Sequence, residues 1–309
     1  MAATQQAHGA STASLSSSKT SDGKKDGFLA SRSGQTLVMN GLTYLILIMW
    51  AIVFMFPLLW MVSTSLKVTG QEFKYPPEMI PNPFAWINYP DALTALPFHI
   101  YFKNTMIIVF MRMIGALLTS SMAAFAFARL RFPGRNILFS LVLSVMILPE
   151  MATLVPTYIL FNELGWVDTL RPLYFPFLFG GSAFFVFLLR QFFMSIPIEL
   201  EDAAKIDGAS YWRIYWQIIL PLATPALGTV AIFTFIGAWN DFAGPLIYLQ
   251  SNDMKTLALG VYMFRGLYHT QWNVLMAASM TMVVPVLLVF FFAQRFFIEG
   301  ISTTGFGGR

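Results

Sequence analysis

The sequence predicts an all-α membrane protein with six transmembrane helices. Composition is the first reason: 57% of its 309 residues are hydrophobic and only 11% are charged, against about 25% charged in soluble domains. The second is pattern, because the apolar residues gather in runs about 20 residues long, enough to cross a hydrocarbon core about 30 Å thick. The chain has no cysteine, which excludes a disulfide framework, a thiol nucleophile and a cysteine metal site. Its three histidines, His8, His99 and His269, form no ligand pair, and no metal or other cofactor is expected.

Residues 1–36 are rich in Ser, Ala, Gln, Gly and Lys without apolar periodicity and read as a disordered tail. The apolar run behind them exceeds the roughly 7–15 residues of a cleavable signal. Leu37 to Leu66 carries no charge and supplies the first span. Lys67 to Tyr101, with Pro76, Pro77, Pro81, Pro83 and Pro90, is a polar connection suited to a small external cap. The second span, Asn104 to Phe127, holds Gly115, Ala116, Ser120, Ser121, Ala123 and Ala124, small residues that let helices approach closely. A third runs from Ile137 to Phe161, interrupted at Pro149-Glu150, and a fourth from Leu173 to Leu189, with Gly180-Gly181 inside it. The fifth lies near Ala226 to Tyr248 and the sixth near Val274 to Phe292, so the helical domain covers 37–298 and a Gly-rich tail covers 299–309. No internal repeat is detectable.

Orientation follows from lysine and arginine. With the N-terminal tail inside, twelve basic residues fall on the inner side and six on the outer, with Arg112 within a span. Both termini are then cytoplasmic, and so is the polar segment Ser195 to Pro225, SIPIELEDAAKIDGASYWRIYWQIILPLATP. Pro197 suits a first helical turn, and Glu199, Glu201 and Asp202 follow where a helix N-terminus favours negative charge. Leu200, Ala203 and Ala204 are expected to share a face, Gly208 to stop the helix, and Ser210 to cap the next. Such an acidic helix between two spans is built to be gripped by another protein, although a solvated loop helix has the same composition.

Asp202-Ala203-Ala204, followed by Asp207-Gly208-Ala209 and by Ile218, Leu220 and Pro221, resembles the EAA loop of ABC importer permeases. The glutamate that names that motif is Asp202 here, with Glu201 one place earlier. Further stretches are similar to the second permease subunit of maltose-type carbohydrate importers: Phe56 to Met61, Ala123 to Arg135, Met146 to Leu164, Trp239-Asn240-Asp241, and Gln294 to Gly300. The resemblance covers about Leu45 to Gly308. It implies the type I ABC importer permease fold in a prokaryotic inner membrane, with 195–225 as a coupling helix docking on an ATPase through Glu199, Glu201, Asp202, Ala203, Ala204, Asp207 and Gly208. The implied partners are a cytoplasmic ABC ATPase dimer, a second permease in a heterodimer, and an external solute-binding protein. Ser302, Thr303 and Thr304 are weaker candidates for ATPase contact.

The chain lacks the nucleotide-binding sequence G-x-x-x-x-G-K-[ST], its one Gly-Lys being Gly23-Lys24; ATP hydrolysis is therefore expected of a separate subunit. Ionisable groups within spans are costly, which makes Arg112, Glu150 and Asp241 candidates for the substrate pathway. Counting about 1.5 Å per residue, Arg112 lies about 12 Å from the outer end of its span and Glu150 about 20 Å from the inner end of its own. Those depths nearly coincide, so the two are expected to pair. Trp239-Asn240-Asp241 offers an indole for a sugar face with amide and carboxylate for hydroxyls, or else lines the route. A sugar is the leading solute. Glycerol phosphate in the same architecture, or a proton-coupled carrier using Glu150 and Asp241, are the alternatives; carriers usually show internal repeats.

Overall fold

A computed structural model describes residues 32–265 and 271–305. Of the tail 1–36 expected to be disordered, residues 1–31 lie outside the described residues. Contacts divide the chain into a unit ending at Pro57 and a second, Leu58–Arg309. The first helix, α1, runs Arg32–Ser65 through Pro57, beginning ahead of the expected Leu37.

Within the second unit, the proline-rich connection holds a single 3-10 turn, Gln71–Phe73, and helix α2, Asn88–Thr94. Helix α3, Phe98–Arg129, is the axis of this unit. At 32 residues it is about 48 Å long, and Ile108, Val109, Ala116 and Ala124 along it are buried. Helices α4 (Arg135–Ser144) and α5 (Glu150–Glu163) follow, then α6 (Arg171–Gly180) and α7 (Ala183–Ser195). The polar segment forms α8 (Glu199–Ile206), α9 (Tyr211–Ile214), a π-helical turn at Tyr215–Ile219 and the short α10 (Leu220–Leu222). After it come α11 (Thr224–Trp239), α12 (Ala243–Tyr248), α13 (Leu257–Met263) and α14 (Trp272–Gly305). Among the described residues there is no β-strand.

Among the described residues, four helical stretches are long and apolar enough to span alone, and the number rises to six if each of two bent pairs makes one span. The pair Arg135–Ile147 and Met151–Glu163 turns by 101° at Leu148-Pro149-Glu150, where the sequence placed its interruption. The fifth span differs from expectation. It is Tyr211–Leu222 joined to Thr224–Trp239 with a 77° bend, and the helix stops at Asn240 rather than continuing to Tyr248. The last helix also runs on through the expected tail to Gly305.

Helix α3 packs against α6, α7 and α11. Small residues make the approach possible. A Cβ on Gly115 would sit 2.5 Å from the Phe177 carbonyl oxygen, so the α3 and α6 backbones are in direct contact there. Gly181, with φ +55°, separates α6 from α7 and lies against Ser120; that left-handed φ suits glycine, which has no Cβ to clash. One buried cluster gathers Phe98, Tyr101, Leu173, Phe235 and Trp239, and another gathers Phe125, Leu189, Phe193, Ile214 and Tyr215.

Candidate functional site

Two places concentrate the sequence-predicted residues. The first is α8. Its opening turn carries Glu199, Glu201 and Asp202, and Gly208, at φ +78°, ends it with its N–H on the Lys205 carbonyl at 3.0 Å. Ser210 then accepts from the Arg213 N–H at 3.3 Å and starts α9, as its residue type predicts.

The acids of α8 face in opposite directions. Glu201 has a side chain only 1% exposed, whereas that of Asp202 is 61% exposed. Glu199, Ala203 and Asp207 are exposed as well, and Ile206 is 87% exposed. The expected face of Leu200, Ala203 and Ala204 is therefore corrected: Glu201 and Ala204 turn inward, while Leu200 and Ala203 turn outward. The reason is counter-charge. Glu201 lies 3.7 Å from Arg129 Nε, at the end of α3, and 3.3 Å from Lys205 Nζ. Burial works against the Lys205 ammonium, but the Glu201 carboxylate, with help from Tyr211 and Asp202, holds its pKa above the usual lysine value.

Tyr215 anchors the segment behind α8. It is buried, its hydroxyl lies 2.7 Å from Ser121 Oγ, and its ring packs on Phe125 and Trp216 at 5.3 and 5.2 Å. Trp212 and Trp216 themselves are exposed.

The second place is the end of α11. Arg112 is buried, and its partner among the described residues is Asp241, with Nη2 2.6 Å from Oδ2. The expected pairing of Arg112 with Glu150 falls outside the described residues, because the side chain of Glu150, which opens α5 directly after Pro149, is not among them. Arg112 Nε also donates to the Leu173 carbonyl, and the guanidinium sits 4.8 Å from the Phe177 ring centre. The other Asp241 oxygen accepts from the Gly244 N–H at 3.0 Å, which fixes the unwound residues between α11 and α12.

Trp239 is 1% exposed, donates to the Met282 carbonyl at 3.1 Å, stacks on Phe235 at 5.5 Å and meets Phe102 edge-on. An indole covered in this way offers no face to a sugar in this conformation. It borders a cavity of about 420 Å³, mostly apolar, with Phe98, His99, Phe102, Thr281 and Met282. Asn240, by contrast, is exposed, its amide bonded to the Ile236 carbonyl at 3.0 Å.

The profile of the binding-protein-dependent transport system inner membrane component matches residues 115–303, which include α8 and the α11 break. The chain belongs to this family. The permease is 33% identical to the diacetylchitobiose uptake system permease protein NgcG of Streptomyces coelicolor, covering 84% of this chain and 87% of that one. It is 34% identical to the arabinooligosaccharides transport system permease protein AraQ of Halalkalibacterium halodurans, over 84% and 93%. With the sn-glycerol-3-phosphate transport system permease protein UgpE of Yersinia enterocolitica it shares 33% identity, over 84% and 94%. Its fold is similar to a chain of a crystal structure of a bacterial ABC transporter involved in the import of alginate, with TM-score 0.75, 21% identity and coverage of 86% and 98%. The permease is thus a multi-pass membrane transport component of the type I ABC importer fold.

Three residues outside the predicted set prove structurally important in the permease. Arg129 reaches Glu201, and the signal was its position just after an apolar run on the same side as the polar segment. Lys67, counted as an outer charge, is 1% exposed, its ammonium 4.2 Å from the Trp60 ring centre. Its carbonyl accepts from Asn88 at 2.8 Å and Asn273 at 3.3 Å, pairings that no local pattern announces. Asp168, with φ 61°, accepts the N–H groups of Gln250 and Ser251, both at 2.8 Å, and joins the loop after α5 to the loop after α12.

Proposed function

We propose that the permease forms half of the translocation pathway of an ATP-driven sugar importer. A second permease subunit completes the pathway, two ATPase subunits drive it from the cytoplasm, and an external solute-binding protein delivers the solute. The carrying observation is the two-sidedness of α8: its inward acid is neutralised within the chain, while Glu199, Asp202 and Asp207 stand outward beside the exposed Ala203 and Ile206. This is a surface with exposed acids that can meet a basic groove, Asp202 lying 3.6 Å from Lys205 Nζ, and an apolar centre to bury there. The excess of inner-side lysine and arginine favours placing α8 and both termini in the cytoplasm. On α4 and α5, Ile137, Leu141, Met151 and Val155 are all more than half exposed, which suits contact with lipid or the second permease.

The sugar reading draws on relatives named for diacetylchitobiose and arabinooligosaccharide uptake. A glycerol-phosphate reading draws on the Yersinia relative. An anionic solute needs uncompensated positive charge along its route, and the buried Arg112 is already paired with Asp241, which favours a neutral solute. Asn240 is the candidate for lining that route; Arg112 and Asp241 shape it, and Trp239 supports it from behind.

The complex, co-expressed from adjoining genes and reconstituted in vesicles with its binding protein, tests this. Uptake of a labelled oligosaccharide should require ATP on the α8 side and persist when a protonophore collapses the proton gradient. Uptake that follows the proton gradient without ATP would overturn the reading, and glycerol phosphate as the transported solute would replace the sugar.

A further inference from the structure

Arg129 is the last residue of α3, and its charge is divided between two other helix ends. Nη2 donates to the Phe193 and Ile196 carbonyls, both at 2.6 Å, at the C-terminus of α7. Cations are favoured at such a terminus, where carbonyls lack helical partners. On its other side, Nε lies 3.7 Å from Glu201 Oε2, in the first turn of α8. One guanidinium therefore bridges the ends of α3, α7 and α8.

Glu201 is the unusual partner. Its two carboxylate oxygens are fully buried and make no hydrogen bond among the described residues, so Arg129 and Lys205 provide its compensation as ion pairs. Charges withdrawn from water in this way are costly, and an apolar residue of similar size is often no less stable. The placement thus adds little as a stability device. What an ion pair adds is a fixed relation between specific elements, here between an exposed eight-residue helix and the two spans behind it.

We infer that the Arg129–Glu201 pair is the joint through which displacement of α8 reaches α3 and α7, with Glu201 as a positioning residue and Asp202, 61% exposed and 3.6 Å from the Lys205 ammonium it shares with Glu201, as the acid presented to the partner. The inference rests on the coupling role proposed above. It divides labour between adjacent acids: Glu201 fastens inward and Asp202 docks outward. Without the joint, α8 can follow a docked partner while α3 and α7 stay behind, so ATP is spent without transport.

The test uses the reconstituted complex with its ATPase and binding protein, measuring solute imported per ATP hydrolysed. Glu201→Gln keeps the size and removes the charge; Arg129→Lys keeps the charge and loses the forked geometry. Both should lower the import-to-hydrolysis ratio, Glu201→Gln about tenfold and Arg129→Lys less. Asp202→Asn should instead weaken retention of the ATPase during purification while the ratio in assembled complexes stays near wild type. A wild-type ratio in both Glu201→Gln and Arg129→Lys overturns the joint. Should Glu201→Gln fail to assemble, hydrogen exchange over 199–206 in the Arg129→Lys complex decides: faster exchange supports the joint, and wild-type protection overturns it. Absence of ATP-driven uptake in the wild-type complex would instead sink the proposed function, which keeps the two failures distinct.

Discussion

Arg112 Nη2 and Asp241 Oδ2 meet 2.6 Å apart, joining the middle of α3 to the unwound residues between α11 and α12. Asp241 also holds the Gly244 N–H, so this one carboxylate fixes both the helix end and the start of the next turn. Replacing Asp241 by Leu leaves a buried guanidinium without its counter-charge and should cost on the order of 3–5 kcal/mol. Arg112→Leu should be comparably harmful, and the double substitution less harmful than the two singles added together. Thermal unfolding of the purified permease in detergent measures this, and strict additivity would mean that the pair carries no coupling.

The same pair shows how far the sequence could be read. Charge within an apolar run marked Arg112 and Asp241 individually, and depth along a helix narrowed the possible partners. That depth did not choose between two acids: Asp241 is 15 residues past Ala226, about 22 Å along a helix, which matches Arg112 about as well as Glu150 does. Lateral position decides, and it depends on helix order around α3, which period and composition do not encode. The interruption at Pro149 and the stop at Gly208 were legible because each rests on local backbone chemistry, whereas Gly180-Gly181 was read as lying inside one fourth span and the structure parts α6 from α7 there. The inward turn of Glu201 was not, since it depends on an arginine 72 positions earlier in the chain.

Contact between the α3 and α6 backbones at Gly115 predicts a contrast between glycines. Gly115→Ala places a methyl 2.5 Å from the Phe177 carbonyl oxygen, so despite better helix propensity it should destabilise by about 1–3 kcal/mol. A Cβ at Gly237 in α11 meets nothing within 4 Å, and Gly237→Ala should be neutral or stabilising by up to about 1 kcal/mol. Melting temperatures of the two variants in one detergent give the comparison, and equal shifts would contradict it.

Asp168 predicts a pH dependence outside the spans. The Ser251 hydroxyl, followed by the Ser251 and Gln250 N–H groups, holds its carboxyl below the ordinary 3.8. A depressed carboxylate contributes stability that is complete above the unfolded value and is lost as pH falls through the folded one. Asp168→Asn should therefore speed hydrogen exchange at Gln250 and Ser251, corresponding to roughly 1 kcal/mol at this partly exposed site. After correction for intrinsic exchange, the difference from wild type should hold steady from neutral pH down to about 5 and shrink below about 3.8. A difference that grew on acidification would reverse the sign and refute the assignment.

The Tyr215–Ser121 contact behind α8 predicts an asymmetry between its two partners. Ser121 Oγ, besides meeting the Tyr215 hydroxyl at 2.7 Å, bonds the Leu117 carbonyl and reaches the Leu118 carbonyl at 3.1 Å. Tyr215→Phe therefore leaves Ser121 with partners inside its own helix and should cost about 1 kcal/mol. Ser121→Ala leaves the buried tyrosine hydroxyl without its only described partner, and an orphaned buried hydroxyl costs roughly 1–3 kcal/mol. The double variant removes both polar groups and should recover part of the Ser121→Ala loss. Unfolding midpoints of the three variants should thus rank Tyr215→Phe above the double variant and both above Ser121→Ala; a Tyr215→Phe loss equal to or larger than that of Ser121→Ala would show that the hydroxyl is satisfied elsewhere.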